Sequence, residues 1–129
     1  MQATPRRDTK PELALRSELH RRGLRYFIHR RPLPELRREA DVVFPRARVA
    51  VFLDSCFWHG CPEHASWPRS NAEWWREKIE RNRRRDADTD ERLRAAGWEP
   101  VRVWEHEDAA AAAERVKRIV AAQSASTVE

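Results

Sequence analysis

Arg48-Val-Ala-Val-Phe-Leu53 is a β-rich, almost uninterrupted apolar run in a chain of 129 residues of which 36% are charged. In so polar a chain, a run of that kind has to be covered on both faces, which makes it a central strand. Three residues upstream, past Pro45-Arg46-Ala47, lies a second β-rich run, Glu39-Ala-Asp-Val-Val-Phe44. Two such runs on either side of a short turn form an antiparallel hairpin. Around it the apolar spacing and cap residues predict an amphipathic helix over Lys10–Arg22 with Leu13, Leu15 and Leu19 apolar, Asp8 or Thr9 capping, Pro11 in the first turn and Gly23 beyond the end. A short strand is expected over Arg25–His29. A long helix runs from a Ser70 or Asn71 cap through Glu73 to Ala96 and stops at Gly97. Trp98–Trp104 reads as a strand, and Asp108 caps an Ala-rich helix to about Ala122. Residues 1–122 make one domain, with 123–129 a frayed tail. The result is an α/β architecture, a small mixed β-sheet flanked by helices, and this element order fits a restriction-endonuclease-like core.

Charge narrows the partner. Lys and Arg number 26 against 21 acidic residues, giving +5. Nearly all of the positive charge is Arg, whose planar fork suits phosphate oxygens, so duplex nucleic acid is the first partner to consider. The Arg81, Arg83, Arg84 and Arg85 stretch of the long helix is the expected phosphate-contacting surface; the alternative is a solvated helix face. No segment approaches the ~18 apolar residues of a membrane helix and the start has no hydrophobic signal core, which places a soluble chain in the cytoplasm, with no membrane partner. Two cysteines so close together in a reducing compartment favour a metal site over a structural disulfide.

Asp41 lies inside an apolar strand, where a charge is costly without a metal or a hydrogen-bond partner. On a nuclease core such an aspartate holds Mg²⁺. Hairpin pairing would bring Asp54 and the Leu53 carbonyl near it; an outward-facing strand position is the plainer reading. Glu12 can be a functional acid or simply an acid favoured in the first turn by the helix dipole. His29 alone reads as a strand-end histidine. Cys56, Cys61, His64 and His106 supply two thiolates and two imidazoles, a donor set for a closed zinc site; a Cys56–Cys61 disulfide or buried thiols stay open. His59 is an alternative fourth ligand, or a general acid or base if left free. Phe57 and Trp58 are core, or a wedge between base steps. Trp74, Trp75, Trp98 and Trp104 are expected in the core.

At Asp41, Cys56-Phe57-Trp58-His59 and Val103-Trp104-Glu105 the sequence resembles the very short patch repair (Vsr) DNA mismatch endonucleases, from Asp8-Thr9-Lys10-Pro11-Glu12 through Asn71-Ala-Glu-Trp-Trp75 to Trp104-Glu105-His106. The resemblance implies a restriction-endonuclease-like fold that nicks one strand 5′ of the thymine at a T:G mismatch. It implies Mg²⁺ at Asp41, His59 as a catalytic histidine, Glu12 near the active site, and structural zinc at Cys56, Cys61, His64 and His106. Phe57 and Trp58 match intercalating aromatics, and Met1 falls where a further wedge residue would come from the other side. Ala40 stands where many members have Pro, and Ser55 where Gly is common. Asp54 stands where the best-studied branch has a catalytic histidine, which makes it an additional metal ligand or a base. The expected partner is mismatched duplex DNA bound by a monomer, with a mismatch-repair protein as a further partner. Two rival readings are a site-specific or modification-dependent nicking enzyme of a restriction or defence system, and a non-catalytic zinc-bearing DNA-binding module.

Overall fold

A computed structural model describes residues 9–54 and 72–127. The elements are α1 (Lys10–Arg21), β1 (Phe27–Arg30), β2 (Ala40–Phe44), β3 (Val49–Asp54), α2 (Ala72–Ala95), β4 (Glu99–Trp104) and α3 (Ala109–Thr127). The four strands form one sheet in the order β1-β2-β3-β4. β1–β2 and β2–β3 are antiparallel, and β3–β4 is parallel. The mixed sheet therefore follows from the chain's own lengths: a tight turn suffices between β2 and β3, whereas parallel β4 needs a crossover, which contains α2.

β3 is buried on both faces, as its composition requires. Val49 and Val51 join Leu15 and Leu19 of α1, Val42, Phe44, Val101 and Val103 of the sheet, and Ala112, Ala113 and Val116 of α3 in the larger core. Ala50 and Phe52 face the other way, with Leu36, Ala40, Val43 and Leu93 of α2. The sheet is thus a middle layer, with α1 and α3 on one side and α2 on the other. α1 and α2 end by the same device. Gly23 (φ 76) and Gly97 (φ 86) adopt the left-handed conformation, and the next residue's N–H returns to the helix, from Leu24 to the Leu19 carbonyl (3.2 Å) and from Trp98 to the Leu93 carbonyl (2.8 Å).

Four expectations are corrected. β1 spans Phe27–Arg30 rather than Arg25–His29. α3 runs on to Thr127 instead of stopping near Ala122, since no Gly or Pro interrupts its Ala-rich sequence. Leu13 is 49% exposed, because the buried stripe of α1 is Glu12, Leu15 and Leu19. Trp74 is 53% exposed, its ring edge-on to Trp75 at 4.7 Å rather than in the core. Among the described residues, no helix is long and apolar enough to cross a membrane.

Candidate active site

β2 alternates between the two layers until it reaches Asp41. Val42 and Phe44 face α1 and α3, Val43 faces α2, and Ala40 also faces α2 where strict alternation would send it back. Asp41 sits at the break. Pairing of β2 with β3 begins at Val42–Val51, and beyond it the Asp41 side chain takes over from the backbone: its Oδ2 accepts the Leu53 N–H at 2.6 Å. Burial is the largest influence on this carboxyl and pushes its pKa up to about 6; the Leu53 N–H opposes that, Glu12 and Asp54 add to it, and His29 subtracts.

The strand facing Asp41 is irregular at the same level. The pairs Ile28–Val42 and Arg30–Ala40 put His29 across from Asp41. His29 has φ 53, the left-handed region, which costs a non-glycine residue roughly 1–2 kcal/mol and persists only where the surroundings impose it. Its Nε2 lies 2.9 Å from Glu12 Oε2. Glu12 is 2% exposed, in the first turn of α1, and Arg16 Nη2 is 4.0 Å from the same oxygen. Glu12, His29 and Asp41 each bring one ligand atom to within 4.8 Å of the others. Two carboxylates and an imidazole so placed, one carboxylate being buried enough to resist ionisation, fit a divalent cation. Glu12 is expected near the active site through the resemblance alone, its residue pattern being equally that of a dipole-favoured acid, whereas His29 reads as a strand-end histidine; the signal that points to His29 is its register opposite a half-buried aspartate.

Asp54, at the end of β3, is 7% exposed and meets Arg102 of β4, Nη1 to Oδ1 at 3.1 Å. Arg102 also holds Asp90 of α2 at 2.7 Å and Asp86 at 3.6 Å. The same guanidinium lies over the Phe52 ring, 4.2 Å from its centroid. Arg81, Arg83, Arg84 and Arg85 are exposed on α2. His106 is exposed in the turn after β4, its ring stacked on Trp104 at 6.4 Å. Met1, Cys56, Phe57, Trp58, His59, Cys61 and His64 lie outside the described residues.

Comparison with known proteins agrees with a nuclease. Residues 1–65 match the family model described as DNA mismatch endonuclease Vsr. The chain is 47% identical over 111 residues to the type II nicking enzyme V.NaeI of Lentzea aerocolonigenes, covering 84% of this chain and 66% of that one. It is 41% identical over 109 residues to the type II nicking enzyme V.XorIIP of Xanthomonas oryzae pv. oryzae (83% and 77%). It is 35% identical over 109 residues to the DNA mismatch endonuclease Vsr of Escherichia coli (81% and 66%). These relatives put the chain in the class of strand-nicking DNA endonucleases. Within that class it belongs to the Vsr family.

Proposed function

We propose that the protein hydrolyses one phosphodiester bond of duplex DNA, at a T:G mismatch and on the 5′ side of the thymine, with Glu12, Asp41 and His29 forming the reacting centre. The observation that carries this reading is the half-buried carboxylate of Asp41, set where two paired strands both depart from regular geometry and close to the fully buried carboxylate of Glu12 from α1. A pure binding module has no use for buried negative charge directed at a polyanion. Asp41 and Glu12 would hold Mg²⁺, and the Leu53 carbonyl would add a backbone oxygen, because in an extended residue the C=O points to the same side as the N–H that already reaches Asp41. A divalent cation bound there supplies charge stabilisation to the phosphoryl oxygens. His59 is the group we assign to proton transfer at the leaving or attacking oxygen. Asp54 acts as a counter-ion to Arg102 rather than as a base, since its Oδ1 is engaged by the guanidinium.

The donor set of Cys56, Cys61, His64 and His106 suits tetrahedral zinc. Such a site would tie the segment between β3 and α2, with Phe57 and Trp58 as the wedge, to the end of β4. Met1 is the wedge residue from the opposite side, the chain acts as a monomer in the cytoplasm, and a mismatch-repair protein is its further partner.

A second reading draws support from the relatives. Those at 47% and 41% identity are named as type II nicking enzymes, and the one named as a mismatch endonuclease stands at 35%. In that reading the sequence around the cut, rather than the mismatch, selects the site. Duplexes carrying T:G, T:A or C:G at one step, each embedded in randomised flanks and labelled on both strands, separate the two. With Mg²⁺, nicking of T:G alone across many flanks is the expected result. Nicking confined to one flank and independent of the mismatch makes the second reading correct, and cleavage of neither strand in any duplex removes both.

The arginines of α2 give an independent expectation. Each phosphate contact contributes about 0.9 to the slope of log affinity against log salt on duplex DNA. Arg83→Ala with Arg84→Ala should therefore flatten the slope by up to roughly 1.8 and weaken matched and mismatched duplexes alike. An unchanged slope means that these exposed arginines face solvent in the complex.

A further inference from the structure

We propose that His29 is a direct nitrogen ligand of the catalytic cation and tilts the site from Mg²⁺ toward first-row transition-metal dications such as Mn²⁺. The inference rests on the reading of the Glu12–His29–Asp41 cluster as the cation site. Its first support is convergence. The 2.9 Å between His29 Nε2 and Glu12 Oε2 would serve a hydrogen bond equally well. A hydrogen bond, however, needs only two groups, and here an oxygen of Asp41 also lies within 4.8 Å of a ligand atom on each of the other two residues. Ligands about 2.1 Å from an octahedral ion stand about 3.0 Å apart at neighbouring vertices and about 4.2 Å apart at opposite ones. The 2.9 Å pair matches neighbouring vertices, and the 4.8 Å within which all three ligand atoms fall is a little wider than the opposite-vertex span.

The second support is the backbone. β1 is an edge strand, and most of it is exposed. A histidine there with ordinary strand geometry would be one more exposed side chain. Instead His29 takes φ 53 and its side chain is 11% exposed, turned to meet a glutamate from another element. The turn falls opposite Asp41, the residue at which β2 breaks its own alternation. Two strands irregular at facing positions bring together one imidazole and two carboxylates that the chain carries 12 and 17 residues apart (Asp41 − His29, His29 − Glu12). Mg²⁺ is a hard ion that prefers oxygen and gains little from imidazole, whereas first-row transition dications accept it readily. An N,O,O set therefore selects by chemistry and not by size alone.

The test uses the full chain and Mn²⁺ alone as the probe. Bound Mn²⁺ is counted by electron paramagnetic resonance, and nitrogen coordination is read from the ¹⁴N modulation of its spin echo; Mg²⁺ affinity is measured by competition. His29→Gln is the informative variant, because glutamine keeps an N–H for Glu12 but offers no imidazole nitrogen. Expected are ¹⁴N modulation in the wild type, its disappearance in His29→Gln, and a Mn²⁺ affinity lower by at least about tenfold, the scale that even the outer partners of metal ligands carry. Mg²⁺ affinity should fall much less. Absence of modulation in the wild type, its persistence in His29→Gln, or equal losses for both ions would overturn the assignment and leave His29 as a residue that positions Glu12. His29→Asn, with the same readouts, replaces the glutamine variant if that one does not fold. Asp41→Asn distinguishes the underlying reading: if it binds Mn²⁺ as tightly as the wild type, the cluster is not the cation site, whereas loss of binding there with no nitrogen signal in the wild type removes His29 alone.

Discussion

Without added divalent cation at pH 7, the Asp41→Asn protein is expected to be more stable than the wild type and to nick no DNA. The sign follows from the direction of the Asp41 shift. Burial raises its pKa from 3.8 to about 6, so between those values the folded state binds more protons than the unfolded state. Stability from this group is fully present below pH 3.8 and is lost as the pH climbs through about 6. At pH 7 the folded protein therefore carries a penalty of about 3 kcal/mol, taking about 1.4 kcal/mol per unit. Asparagine resembles the protonated acid and can still accept the Leu53 N–H, so it should recover roughly 1–3 kcal/mol of that. Divalent cation should close or reverse the gap. It binds the ionised carboxylate and stabilises the wild type by about 2.7 kcal/mol at a hundred times its Kd, while leaving the variant unmoved. Thermal melts with chelator and with cation, at pH 5 and pH 7, read all of this. A variant less stable than the wild type in chelator at pH 7 would mean that the ionised carboxylate is a structural asset, and the case for a cation there would lose its energetic basis.

Much of this layout is legible in the sequence, and what is not has definable causes. The hairpin and the central strand follow from local pattern: two apolar β-rich runs close together, one of them needing cover on both faces. Both helix ends at Gly23 and Gly97 are equally local. Asp41 stands out because a charge within Val-Val-Phe company needs a reason. Glu12 is singled out only by the family resemblance and not by its local pattern, because an acid in the first turn of a helix is already explained by the dipole, and only the packing of α1 on the sheet shows that it is buried. His29 escapes for a different reason. Its place opposite Asp41 depends on the register of β1 with β2, which is set by the segment between them and not by any local period. Trp74 is the reverse case, an aromatic on a helical repeat with no layer above it among the described residues.

Arg102 is the clearest contact that spacing could not supply, since it reaches Asp54 through a parallel pairing 48 positions apart. Replacing it with leucine is expected to destabilise the protein by about 2–4 kcal/mol, somewhat below what breaking a fully buried ion pair costs. Three carboxylates, Asp54, Asp86 and Asp90, would lose their shared cation together. Burial works against charge on Arg102, yet the Asp90 hydrogen bond and the pull of Asp54, Asp90 and Asp86 outweigh it and hold its pKa above the usual guanidinium value. Asp54→Asn should be far milder, because Arg102 keeps its other two partners. The asymmetry also bears on chemistry. Asp54 already contributes to the raised pKa of Asp41, and without Arg102 its charge would act there uncompensated. Arg102→Leu should therefore move the acidic limb of the nicking rate to higher pH, and adding Asp54→Asn to it should move the limb back and restore part of the stability. A double-mutant cycle on melting and on the pH profile measures both couplings. If Asp54→Asn by itself abolishes nicking in a folded protein while stability hardly changes, Asp54 belongs to the reacting centre and the counter-ion assignment is wrong.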